Sequence, residues 1–443
     1  MRACEPLTHA WARNHWLQTS SQPAEAAPAS GQNFLGFHLP RSRLMKTQSP
    51  TVLFVSHDAS RTGAPIFLLR FLHWLREYRQ IPFQILVGSS GDMLPEFESV
   101  GRTELFVPKP TPLDRILRRL KVGTPEDSDH KSSLRKRLAE SNVGLVYCNT
   151  IVNGKILDFL SFLNCPVICH VHELEQVIRL NSDETSLGLV KRFAPSFIAV
   201  SHAVKQNLVT NHGIPEDKIR VIHGFIPTGE SKQTEIAQAH SDVRRELRIP
   251  AEARVVCACG SIEPRKGTDL FLQVAERVSE LYKNKGPVHF IWVGGGLEQV
   301  TAMRKHVNSL SHRNTIHFIG HRKDVSSYYD ASDVFLLPSR EDPFPLVMME
   351  AALRKKAIVC FDHAGGAPEF VERDAGFVVP GLDVNKMAER VVDLLTSAEL
   401  RNHMGAVARQ KVLDRHDISI CAPKISAIIH DELLVREARV LGA

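Results

Sequence analysis

The chain has 443 residues, 43% of them hydrophobic and 23% charged, with a formal net charge of +6. That length exceeds one ordinary core, so two domains are expected, and the composition is that of a soluble globular protein whose mild positive charge points to anionic ligands or surfaces. No run approaches the length of a membrane span and no signal-type apolar core opens the chain, which argues against a spanning or a secreted protein. The eight cysteines fall mostly within apolar runs and lack a CxxC partner. This pattern suits buried thiols in a reducing compartment and no zinc site.

Residues 1–50 are rich in Ala, Ser, Pro and Gln without periodicity, which reads as a disordered extension. Met45 stands just before the first strand, so a chain starting there is expected to fold and work like the full one. From Thr51 the pattern changes. TVLFVS reads as a buried strand, followed by the loop DASRTGAP and a helical IFLLRFLHWLREY. Further strands are expected at 83–88, 104–108, 144–149, 166–172, 197–201 and 219–224, separated mostly by helical patterns. Between 109 and 137 nine basic residues face four acids, and LDRILRRLK sets Leu113, Ile116, Leu117 and Leu120 on one helical face. Two readings stay open for it, an interfacial helix on anionic lipid or a solvated helix packed on the sheet.

Residues 229–243 are polar and aperiodic, as suits an interdomain linker. A second series of strands follows at 254–260, 288–296, 316–321, 334–339, 357–361 and 375–380. The expected architecture is therefore α/β, with two Rossmann-like doubly wound parallel domains at 51–228 and 244–423 facing across a cleft. A helix within 424–443 is expected to cross back onto the first domain.

Candidate chemistry lies at strand ends. Gly63, in the loop between the first strand and helix, lets backbone approach a bound group closely. His170 and His172 alternate to one side of a strand end, where a cleft role and a structural role stay open; a zinc reading lacks a third ligand. GSIEPRKGT (260–268) offers Arg265 as a bidentate fork and Lys266 as a point charge for a diphosphate. There is no GxGxxG and no Walker spacing, so neither a nicotinamide cofactor nor a P-loop is suggested. The loops at 318–322 and 365–369 are expected to line the same cleft. PSREDPFPLVMMEAA (338–352) places a helix N-terminus after a buried strand, with Asp342 ahead of it and Glu350 about two turns inside. Carboxylates beside an anion site suit hydroxyl groups of a ribose or a sugar.

The order GSIEPRKG, then FIGHRKD…YYDASDVFLLPSREDPFPLVMMEA, then GGAPEFVERDAGFVV resembles the retaining nucleotide-sugar glycosyltransferases of family 4, which have the GT-B fold. The resemblance covers nearly all of 51–383. It implies that Glu350, second acid of the family's E-x7-E motif, bonds the donor ribose, and that Asp342, in the first position, touches the donor sugar. Arg265 and Lys266 are expected to hold the diphosphate, with backbone support from Phe344, Pro345, Leu346 and Val347. Gly320, His321 and Arg322 are expected beside the base, Gly63 near the phosphates, and His172 near the reacting centre. Two departures stand out. The first acid is Asp rather than Glu, with Glu341 one residue out of register and expected to point elsewhere, and Ser261 replaces the family's usual arginine.

The implied activity is transfer of a sugar, with retention, from a nucleoside-diphosphate-sugar to a glycan or glycolipid precursor of a cell-surface polysaccharide. No cofactor or metal requirement is expected, no nucleic acid, and a cytoplasmic location with peripheral contact to the inner face of the membrane. A non-catalytic nucleotide-sugar-binding subunit, or a GT-B epimerase or phosphorylase, are the alternatives.

Overall fold

A computed structural model describes residues 49–108, 126–229 and 241–441. Two wholly parallel sheets organise them. The first holds β1 (Thr51–Ser56), β2 (Phe83–Val87), β3 (Thr103–Leu105), β4 (Val143–Cys148), β5 (Val167–Val171), β6 (Ser196–Ala199) and β7 (Ile219–Val221), in the order β3-β2-β1-β4-β5-β6-β7. The second holds β8 (Arg254–Cys259), β9 (Val288–Val293), β10 (Ile316–Gly320), β11 (Val334–Leu337), β12 (Ala357–Phe361) and β13 (Gly376–Val379), in the order β10-β9-β8-β11-β12-β13. This is the GT-B arrangement of two Rossmann-like domains.

The strands read as continuous apolar runs because helices cover both faces of each sheet. Leu53 and Val55 enter one apolar cluster while Val52 and Phe54 enter another. In β8, Val255 and Cys257 likewise turn one way and Val256 and Ala258 the other. Strand order reverses between β1 and β4 and again between β8 and β11, and in open parallel sheets such points leave a crevice at the carboxyl ends.

The chain returns to the first sheet at its end. Ile226 accepts a backbone bond from Ile418, and the helix Ile418–Leu441 buries Cys421, Ala422, Ile425, Ile428 and Ile429 in the cluster of Val52, Phe54 and Phe71. This helix starts ahead of the expected 424 and carries Pro423 inside it.

Several expectations fall on residues 1–48, 109–125 and 230–240, outside the described residues. The apolar face of Leu113, Ile116, Leu117 and Leu120, on which both readings of the basic stretch rest, is among these, and the rest of the stretch forms the helix Glu126–Ala139. Leu134 and Leu138 are buried, Lys131 and Arg135 sit over the rings of Phe106 and Phe162, and Arg137 bonds Glu104 at 2.9 Å. Those three cations are engaged by the fold itself, so this part is not a free lipid-facing surface. Among the described residues no helix is long and apolar enough to cross a membrane, and seven cysteines are free thiols.

Candidate active site

The loops after β8 and β11 meet at the switch point of the second sheet. Buried β11 ends at Pro338, and the turn beyond it draws a charged side chain inside. Asp342 is only 4% exposed. Its N–H donates to Ala364 O at 2.6 Å and its carbonyl accepts from Gly366 N at 3.1 Å. Its carboxylate takes Lys266 Nζ at 2.5 Å and Ser339 Oγ at 3.4 Å. Two glycines make this packing feasible. At Gly365 (φ +112°) a Cβ would lie 2.0 Å from Asp342 O, and at Gly267 (φ +72°) one would lie 1.9 Å from Pro338 O. The loop carrying Lys266 and the turn carrying Asp342 are therefore locked backbone to backbone.

Arg265 is anchored beside them. Its Nη1 donates to Glu341 O at 2.9 Å and its Nη2 to Glu263 Oε1 at 2.7 Å, where Ser261 Oγ also donates at 2.6 Å. The hydroxyl at 261 thus helps hold a carboxylate that already carries Arg265.

The helix Leu346–Leu353 follows Pro345 with no side-chain cap and no acid in its first turn. The N–H groups of Leu346 and Val347 have no intrahelical partner, and the positive end of the helix dipole faces outward there. Glu350, one turn further in, accepts Arg70 Nη2 at 2.8 Å. Arg70 belongs to the helix Gly63–Tyr78 of the other domain. Both side chains are about a quarter exposed, at 26% and 28%, and Arg70 Nη1 is buried without a partner.

The first sheet presents its own switch point. Gly63 opens the helix Gly63–Tyr78, which has no side-chain cap and no acid in its first turn, and a Cβ at Gly63 would meet nothing within 4 Å. Asn149, just past β4, donates through Nδ2 to Ala64 O at 2.8 Å, which turns its Oδ1 to His172 Nε2 at 3.0 Å. The imidazole therefore carries its proton on Nε2 and keeps Nδ1 as an acceptor. Burial, helped by nearby His57, pushes the His172 pKa down to about 3, so the ring is neutral at physiological pH. His170 lies 4.3 Å from it between ring centres, fully buried, with Nδ1 2.5 Å from Tyr147 Oη. Its Nε2 is buried without a partner.

Known families match both halves of the fold. The description "Glycosyltransferase Family 4" matches residues 61–230 and "Glycosyl transferases group 1" matches residues 240–411, one for each half of the fold. The chain belongs to glycosyltransferase family 4. Its curated relatives are distant. D-inositol 3-phosphate glycosyltransferase of Corynebacterium urealyticum is 28% identical over 179 residues, 39% of this chain and 42% of that one. N-acetyl-alpha-D-glucosaminyl L-malate synthase of Bacillus anthracis is 24% identical over 262 residues, 58% of this chain and 66% of that one. The chain thus spans from 42% to 66% of the length of these two. Among solved structures, Anabaena HepE in complex with UDP and glucose superposes with a TM-score of 0.69 at 21% identity, covering 86% of this chain and 99% of that one. WaaG, a glycosyltransferase of lipopolysaccharide biosynthesis, gives 0.62 at 15% identity over 85% and 99%.

In this family 4 chain the structure pairs Lys266 with Asp342, anchors Arg265 on the Glu341 carbonyl, and carries Leu346, Val347 and Glu350 on the helix that follows, while Gly63 and His172 lie just past strand ends of the first sheet. Phe344 does something else besides lead into the helix. Its ring is buried 5.1 Å from that of His223 and 5.2 Å from that of His416, joining the two domains. Gly320 (φ +82°) bonds Gly294 at the end of β10, while His321 and Arg322 are exposed. Arg322 Nε donates to Tyr328 Oη at 3.0 Å. Glu341 points elsewhere, as expected. It turns from the Lys266 pocket but is no bystander: Oε2 accepts from Gln176 N at 3.0 Å across the cleft, and Oε1 is buried without a partner. Arg70, Asn149 and Glu173 escaped the sequence reading. Glu173 is buried and gathers Thr150 Oγ1, Ile151 N and His172 N, fixing the loops after β4 and β5. Nothing in a lone cation of an amphipathic helix marks Arg70, except that it lies two turns from Gly63 on the same face.

Proposed function

We propose that the chain is a retaining glycosyltransferase that moves a sugar from a nucleoside-diphosphate-sugar to a glycan or glycolipid acceptor, a precursor of a cell-surface polysaccharide. The observation that carries this reading is the pairing of both motif acids with cations at the facing switch points: Asp342 with Lys266, and Glu350 with Arg70. The same residues in the same places can bind a diphosphate flanked by hydroxyl groups.

Lys266, Arg265 and the N–H groups of Leu346 and Val347 would receive the diphosphate as negative charge develops on the leaving oxygen. Glu350 bonds the ribose hydroxyls, and Asp342, released in part from Lys266 by the phosphate, bonds the transferred sugar. Neutral His172 orients a hydroxyl rather than moving a proton. The acceptor attacks from the leaving-group face and its proton passes to the departing phosphate, with no covalent enzyme intermediate. The chain's cations take the place of a divalent metal in this scheme, and no cofactor is required. HepE, solved with UDP-glucose, and a Campylobacter jejuni relative that acts on a diphospho-undecaprenol substrate support a nucleotide-sugar donor and a glycolipid acceptor. A lipid-linked acceptor goes with a cytoplasmic protein working at the inner membrane face.

The test is incubation with a panel of nucleotide sugars, with and without lipid-linked and free glycan acceptors, and product analysis by NMR. Transfer with retained anomeric configuration is the expected result. Hydrolysis-free binding without transfer would favour a non-catalytic subunit, and epimerised or phosphorolysed product would favour the other GT-B chemistries.

A further inference from the structure

We propose that His202, His223 and Glu369 form a transition-metal site that joins the two domains behind the Asp342 turn. Side-chain ligand atoms of all three residues lie within 4.8 Å of one another. His202 opens the helix His202–His212 after β6, His223 follows β7, and Glu369 comes from the short helix Ala367–Val371 of the second domain. The sequence holds no trace of the cluster, since Glu369 is 146 and 167 residues away from its two histidines.

The hydrogen bonds already present orient the carboxylate toward the histidines. Glu369 Oε1 accepts from Ala203 N at 2.8 Å, and Oε2 accepts from His202 N at 2.9 Å. These backbone bonds fix the carboxylate's orientation as outer-sphere partners of a metal site do. The remaining lone pair of Oε2 faces His223 Nε2 at 2.9 Å. A cation there replaces the proton between two ligand atoms that are already converged, and leaves both backbone bonds intact. The His202 ring is exposed beside it, 5.6 Å from the His223 ring between centres, free to swing in as the third ligand. Two imidazoles and one carboxylate suit Zn²⁺, Co²⁺ or Ni²⁺, whereas Mg²⁺ and Ca²⁺ prefer all-oxygen sets. His416 lies next door, its ring 5.6 Å from that of His223, but its Nδ1 is engaged with Gly224 O at 3.1 Å and it is buried.

The consequence is mechanical. Glu369 closes the loop whose Gly366 and Ala364 hold Asp342, so a bound cation ties this loop to the first domain and stabilises the closed arrangement. The site is independent of the sugar-transfer reading. The experiment uses the full chain, stripped with EDTA and titrated with Co²⁺ alone. Its absorption bands report nitrogen and oxygen ligands, and Zn²⁺ is then followed by thermal shift. The expected result is saturable Co²⁺ binding, an affinity reduced about a hundredfold in His202→Ala and in His223→Ala, and retained in His416→Gln. Zn²⁺ raises Tm in the parent and no longer does so in His202→Ala. His202 is exposed, so its variant folds whatever becomes of His223→Ala. Absence of Co²⁺ bands, or bands and affinity unchanged in His202→Ala, overturns the site.

Discussion

Lys266 and Asp342 are 16% and 6% exposed at the side chain, so neither charge has water to fall back on. Removing one partner from such a pair typically costs about 3–5 kcal/mol, because the other charge stays buried and unmatched. Lys266→Ala should therefore lower stability by that order, and the double variant Lys266→Ala/Asp342→Ala should recover part of the loss. Urea denaturation of the parent, both single variants and the double variant measures this; a double loss equal to the sum of the two single losses would show that the pair is not coupled. A second prediction concerns histidines. Burial depresses His172 to about 3 and His416 and His317 to about 4, each far below an unfolded value near 6.5. The unfolded chain binds these protons first, so stability is fully present above about pH 6.5 and is lost as pH falls toward about 4. The denaturation midpoint should thus drop between about pH 7 and about pH 5, where ordinary carboxylates are still ionised. It should drop less in His416→Gln. An unchanged midpoint across that window would contradict the assignment.

Elements meet at the cleft through helices that were legible as helices but not as partners. The apolar runs announced nearly every strand, because strands buried on both faces leave an unbroken signal; the glycines after Val293 ended β9 earlier than the pattern suggested, with Gly294 at φ +117°. The acidic turn was legible too, since Asp342 and Glu350 carry a spacing. What the spacing could not carry was orientation. Glu341 and Asp342 are neighbours in sequence, yet one reaches Gln176 in the first domain and the other stays with Lys266. Arg70 opposite Glu350, and Glu369 beneath the helix of His202, depend on how two domains dock, which leaves no local periodicity. The Arg70–Glu350 pair is partly exposed and worth about 0.2–1 kcal/mol. Because a ribose must share or displace it, Arg70→Met should tighten nucleoside-diphosphate binding by a few-fold at most, as read by calorimetry. A clear weakening would make Arg70 a direct ligand contact.

At the scale of the whole molecule, the last helix fastens the second domain's chain to the first sheet. Ile425 and Ile429 are fully buried there. Ile429→Ala should cost about 2–5 kcal/mol by leaving a cavity, seen as a lowered Tm. A change within about 0.5 kcal/mol would mean that the helix is only loosely docked. Docking also decides the division of labour in the cleft, since each acid of the motif answers to a cation from a different place: Lys266 in its own domain, Arg70 in the other. This division is what the central claim rests on, and one paired measurement reaches it. Nucleoside-diphosphate Kd and sugar-transfer turnover are determined for Glu350→Ala and Asp342→Ala beside the parent. Glu350→Ala is predicted to raise the Kd by roughly ten- to a hundredfold, and Asp342→Ala to leave Kd nearly unchanged while lowering turnover by a similar factor. Unchanged turnover in both variants of an active protein would contradict the account.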